Sequence, residues 1–182
     1  MAGKTTVSVE RMSIPTYPIM DCEKLPMFCE NRNHQGTRGN PYPVMPELSD
    51  RRTGKEPVDY EVVRLENDYI RLILIPALGG RVFEAYDKVN DYNFLYRQHV
   101  IKPALIGAYG LWISGGLEFN WPFHHRPSTF MPVNFSTENL PNGTGVCYLS
   151  ECDPTDRTRC NVAIVLRPDT AFFETRVQIA NR

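Results

Sequence analysis

The chain has no surplus of either charge: 20 Lys and Arg stand against 21 Asp and Glu in 182 residues, a formal net charge of -1. Nucleic acids and anionic membranes select basic surfaces. Arg51-Arg52 is the sole adjacent basic pair, so neither partner is expected. No apolar run approaches the roughly 20 residues that cross a bilayer, and "MAGKTTVSVERMSIPTYPIM" lacks the charged-then-apolar layout of a signal peptide. Cysteine is sparse and odd in number: Cys22, Cys29, Cys147, Cys152 and Cys160, with no CxxC spacing. That argues against a zinc or disulfide framework and for reduced thiols in a cytoplasmic protein. Helical periodicity is missing too. No segment long enough for a globular helix repeats its apolar residues in that way.

What is present is a strand pattern. With 42% hydrophobic and 23% charged residues, the composition is that of one globular domain with a core of its own. Residues 1–57 hold seven of the 15 prolines. Proline removes a ladder donor and fixes φ, so this stretch reads as an extended arm packed on the domain, with short strands. From residue 58 to 182 the pattern becomes "VDYEVVRL", "YIRLILIP", "RVFEAYD", "YNFLYR", "FMPVNFST", "GVCYLSEC", "NVAIVL" and "AFFETRVQIA". Turn formers separate them, including Asn67-Asp68 and the hairpin pair Asn142-Gly143. In the last segment Phe173, Thr175, Val177 and Ile179 alternate with Glu174, Arg176 and Gln178, the period of a strand with one buried and one wet face. Strands joined by hairpin turns without crossover helices give an all-β fold, an antiparallel β-sandwich. The chain stops directly after that last strand, and an exposed edge is something native sheets avoid. The expectation is a fragment of a larger protein.

One stretch is not explained by core packing. "GAYGLWISGGLEFNWPFHHRPSTF" puts two of the four histidines and both tryptophans within a short, glycine-rich segment. Trp112 and Trp121 offer flat apolar faces that suit the C–H patches of sugars. Glu118, Asn120 and Arg126 supply partners for hydroxyls, and Glu118, His124 and His125 are the acid–base candidates. The same residues also fit an architectural role, with Trp112, Leu117, Phe119 and Phe123 in the core and Glu118 stapled to Arg126. Adjacent histidines point apart, so at most one faces a given cavity, and the doublet lacks metal-chelating spacing. No metal or other cofactor is expected. Gly79-Gly80 precedes a strand instead of a helix, which excludes a phosphate cradle. Arg81 remains a candidate ligand contact, with Lys102 and Tyr109 as outsiders.

Three segments carry a resemblance: "IPALGGRVFEAYDKVNDYNFLY", "HVIKPALIG" and above all "WISGGLEFNWPFHHRPSTFMPV". They resemble a bacterial family of uncharacterised function with a galactose-mutarotase-like β-supersandwich, often followed by tetratricopeptide repeats. The likeness runs from about Pro15 onward. It implies a supersandwich longer than this chain, completed by a C-terminal remainder of the same protein. It also implies a carbohydrate ligand on a concave sheet face, as in aldose mutarotases and the sugar-binding domains of glycoside hydrolases and lyases. By that likeness His124 or His125 would be the acid, and the base would lie beyond Arg182, leaving this part without activity of its own. When full length, the protein would be an aldose epimerase, a glycosidase or a sugar-recognising module. The alternative is a non-catalytic interaction domain on a degenerate sugar fold, serving as a scaffold beside the repeats.

Overall fold

The computed structural model describes residues 3–22, 46–48, 54–105, 111–121, 129, 131–152 and 158–181. Among them the regular structure is nearly all strand: β1 (Thr6–Thr16), β2 (Ile19–Cys22), β3 (Pro46–Leu48), β4 (Glu56–Glu66), β5 (Ile70–Ile75), β6 (Arg81–Asp87), β7 (Tyr92–Asn93), β8 (Ala104–Leu105), β9 (Leu111–Trp112), β10 (Asn134–Asn139), β11 (Gly145–Cys152), β12 (Arg159–Leu166) and β13 (Phe173–Ala180). None of the described residues forms a helix long and apolar enough to cross a membrane.

Two antiparallel sheets dominate, one in the order β1-β4-β5-β6-β7 and one in the order β10-β11-β12-β13. They pack face to face through Val63, Leu65, Leu72, Leu74 and Val82 from the first sheet and Cys147, Leu149, Val162 and Ile164 from the second. Burying each such aliphatic side chain contributes about 1.5–3 kcal/mol. This is the expected all-β sandwich.

The far face of the first sheet carries a second small core. Ile14, Val62, Ile73, Ile75 and Phe83 pack there with Ile101 and Ile113 from the following loops. β4 and β5 are therefore covered on both sides, which is why Val62-Val63 and the run from Leu72 to Ile75 are all buried. A doubly covered strand needs continuous apolar residues where a half-exposed one alternates.

Part of the expected N-terminal arm is a full member of this sandwich. β1 pairs with β4 along its whole length, from Thr6 opposite Glu66 to Thr16 opposite Glu56. Its single proline, Pro15, is tolerated because β1 is an edge strand. A bulge interrupts the β5–β6 ladder: Ile73 faces Glu84 while Leu74 faces Val82, so Phe83 is supernumerary.

The turns follow their sequence signals. Asn67 accepts at Oδ1 from the backbone N–H groups of Tyr69 (2.9 Å) and Ile70 (2.8 Å). Its Nδ2 donates to the carbonyls of Arg167 and Thr170, both at 2.7 Å, tying the β4–β5 turn to the β12–β13 turn. Asn142-Gly143 closes the β10–β11 hairpin, with Gly143 at φ 83°. In β13 the period-two alternation is present, but its apolar row is not buried: Val177 and Ile179 are 55% and 57% exposed. Phe173 alone of that row packs on the core, because the remainder of this edge strand lies beyond the facing sheet.

Candidate functional site

The glycine-rich stretch is fastened to the first sheet by Arg81. Arg81 opens β6 and its side chain is 1% exposed. Nη1 donates to the carbonyls of Ile113 (2.7 Å) and Gly115 (2.8 Å), and Nη2 to Glu118 Oε2 (3.1 Å). Val82 and Leu117 exchange backbone hydrogen bonds of 3.1 and 2.9 Å, so residues 113–118 lie against β6. Burial pushes the Arg81 guanidinium down from its ordinary range, and the Glu118 carboxylate opposes that shift.

Two glycines make this close approach sterically feasible. Gly79 has φ +73°, and a Cβ there would sit 2.4 Å from the carbonyl oxygen of Thr129. Gly116 has φ +71°, and its Cβ would meet the Val82 oxygen at 2.3 Å. Only a residue without a side chain takes up either position unstrained.

The residues singled out from the sequence therefore separate. Arg81 and Glu118 are partners of each other; the expected Glu118–Arg126 staple falls on a residue outside the described ones. Trp121 lies in the main core at 7% exposure, packed with the residues between the sheets. Its ring is a packing element, and the exposed sugar platform expected there is corrected accordingly. Trp112, on β9, is half-buried, and Asn120 is exposed. His124, His125, Arg126 and Tyr109 lie outside the described residues. Lys102 sits 5.1 Å over the Tyr17 ring. Among the described residues, no group of three His, Cys, Asp or Glu side chains is placed to hold a metal ion.

A separate hollow lies on the outer face of the β10–β13 sheet. A cavity of about 710 Å³ is lined by Val146, Tyr148, Ala163, Val165 and Arg176, with Asn142, Arg167 and Asp169 contributed by the turns. Val146 and Val165, cross-strand neighbours beneath it, are buried at 2% and 4% exposure. The Tyr148 ring is 40% exposed, and its hydroxyl donates to Glu138 Oε2 at 3.0 Å. That hydrogen bond, with smaller help from burial, raises the phenol above its ordinary range. Glu174 accepts from Arg176 Nη2 (2.9 Å) and lies 2.6 Å from Arg167 Nη2. The Arg176 hydrogen bond holds the Glu174 carboxyl below the usual range.

The sequence hides this hollow because its lining residues come together only through the register of separate strands. The alternation of Tyr148 with the buried Cys147 and Leu149 was the available signal: an aromatic on the wet side is out of place there.

Comparison with known proteins gives the following. Residues 37–181 match the model of a family described as "Domain of unknown function (DUF5107)". A solved structure, a TPR-domain containing protein from Parabacteroides distasonis ATCC 8503, superposes with a TM-score of 0.79 at 22% sequence identity. The match covers 97% of this chain and 29% of that one. At that identity the likeness is one of fold, and this chain spans under a third of the longer protein.

Proposed function

The chain belongs to the DUF5107 family, whose function is undefined, and from that premise we propose that it is a carbohydrate-recognising domain of a larger carbohydrate-active protein, built on a galactose-mutarotase-like supersandwich. The hollow over β11 and β12 carries this reading. The Tyr148 ring, 40% exposed over the hollow, matches the C–H face of a pyranose, and the Arg, Asp and Asn side chains around it match the hydroxyls. The volume of about 710 Å³ falls within the range of small-molecule sites.

Ring opening or glycosidic cleavage needs an acid and a carboxylate flanking the anomeric centre. Glu118 is engaged by Arg81, so the proposal for this part of the molecule is recognition. Aldose epimerase or glycosidase activity would belong to the longer protein, with His124 or His125 as its acid and Trp112, Asn120 and Arg126 as further contacts. The buried thiol of Cys147 suits a reducing cytoplasm.

The test is a binding screen of monosaccharides and glycans on the chain beside Tyr148→Ala. Binding that the variant loses while its melting is unchanged supports the reading; no binding to any sugar refutes it.

A second reading, an interaction module, is favoured by β13. Among the described residues no strand pairs with its outer edge, and it exposes Val177 and Ile179. We propose further strands of a longer chain, a C-terminal remainder, as the occupant of this edge, since such a surface invites strand pairing. Aggregation of the isolated chain is the expected behaviour. A monodisperse chain that melts cooperatively argues against an occupant.

A further inference from the structure

Resting on the carbohydrate reading, we propose that the ligand is an extended, neutral oligosaccharide and that a single sugar fills only part of the site. The hollow described above is one end of a trough. A second hollow of about 320 Å³ adjoins it, sharing Tyr148, Ala163 and Arg176 and continuing past Ser150, Asn161 and Gln178.

The strand register lines the outer face with three cross-strand rows. Glu138, Val146, Val165 and Glu174 make the first; Ser136, Tyr148, Ala163 and Arg176 the second; Asn134, Ser150, Asn161 and Gln178 the third. Rows two residues apart along a strand are separated by about 7 Å, so the trough runs for about 13 Å from the first row to the third. One pyranose ring covers one such interval, not both.

The chemistry changes along this length. The first row gives two carboxylates flanking buried valines, the second an aromatic ring and a guanidinium, and the third only amides and a hydroxyl. Amides and hydroxyls both donate and accept, which is what sugar hydroxyls require. Charge argues for a neutral ligand. Glu174 is shared by Arg167 and Arg176, and Glu138 and Asp169 add further carboxylates around the face, so no surplus of positive charge is left for an anionic ligand.

The experiment titrates the full chain by calorimetry with neutral gluco-, galacto-, manno- and xylo-oligosaccharides, graded from monosaccharide to hexasaccharide. Affinity in at least one series is expected to rise about tenfold or more, equivalent to about 1.4 kcal/mol, between monosaccharide and trisaccharide, and then to level off. Asn161→Ala and Gln178→Ala should collapse that trisaccharide-to-monosaccharide ratio toward one. Equal affinity for monosaccharide and trisaccharide overturns the extended site while leaving sugar recognition standing. No binding in any series overturns both. A dimer in light scattering that Asn161→Ala dissociates, without glycan binding, seats a second copy in the trough and overturns the proposal as well.

Discussion

The Arg81–Glu118 pair gives the sharpest test of how the glycine-rich stretch is held. Glu118→Ala would leave a guanidinium that is 1% exposed without its carboxylate. Breaking one side of a buried pair costs about 3–5 kcal/mol. The carboxylate is also what opposes the effect of burial on Arg81, so its loss leaves the desolvation of the charge uncompensated. Arg81→Met removes the charge but orphans the carbonyls of Ile113 and Gly115, which receive bonds of 2.7 and 2.8 Å, at about 1–3 kcal/mol each. The double variant Arg81→Met/Glu118→Ala removes both charges and closes the cycle with the two singles. It should be less destabilised than the sum of the singles, with a coupling of at least about 1 kcal/mol. Urea melts of the four proteins measure this directly. In a thermal scan Glu118→Ala should melt about 6–20 °C lower, at about 2–4 °C per kcal/mol for a domain of this size. A Glu118→Ala cost below about 1 kcal/mol, or a strictly additive cycle, would show that the pair behaves as an exposed one and would refute the latch.

Three further outcomes follow from the same coordinates. Gly79→Ala and Gly116→Ala should each destabilise strongly, because the new Cβ meets backbone at 2.4 and 2.3 Å; Gly54→Ala, at φ +81° with nothing within 4 Å, should cost only the left-handed conformation, about 1–2 kcal/mol. Equal costs in chemical denaturation would discredit the steric account. Burial alone would raise Glu66, but Lys88 and Arg64 outweigh it and hold the carboxyl below its ordinary value of 4.5. That contribution is therefore present above pH 4.5 and lost as pH falls below it; Lys88→Met should flatten this acid limb of the stability–pH curve, and an unchanged limb would remove Glu66 as its source. Burial pushes the Cys147 thiol from 9.0 up to about 12. The folded state then keeps a proton that the unfolded chain gives up, so stability declines as pH climbs above 9.0, and Cys147 should resist alkylation at pH 8 until the chain unfolds. Mass mapping of the modified thiols decides it, and early labelling of Cys147 would contradict the burial.

The sandwich was legible where a strand keeps one polar and one apolar side. β6, β11 and the alternation of β13 appear in the sequence as they do in the fold. β1 was not legible as a full strand because its apolar side changes hands. Val7 packs on the core between the sheets, while Met12 and Ile14 serve the small core on the opposite face, so the alternation slips out of phase halfway along. The site was less legible still. Trp121 drew notice because tryptophan is scarce, but scarcity says nothing about whether a ring faces solvent or core. Arg81 was weighed as a ligand contact because it follows two glycines. Its actual partners, Ile113, Gly115 and Glu118, stand 32 to 37 residues later, a separation that no local pattern reveals. The trough depends on register among four strands, which exists only once the hairpins have closed.

The supernumerary Phe83 gives β6 a reading frame. On one side of it Arg81 stands opposite Ile75, and on the other Glu84 stands opposite Ile73, both residues of the small core. Deleting any one residue between Arg81 and Glu84 would regularise the ladder and turn one end of the strand over, sending either a guanidinium or a carboxylate into the apolar layer between the sheets. Changes of length in this strand are therefore far more damaging than changes of identity. Lineages that gain or lose residues here should do so in the hairpin at Lys88–Asp91, where the chain is already turning in solvent.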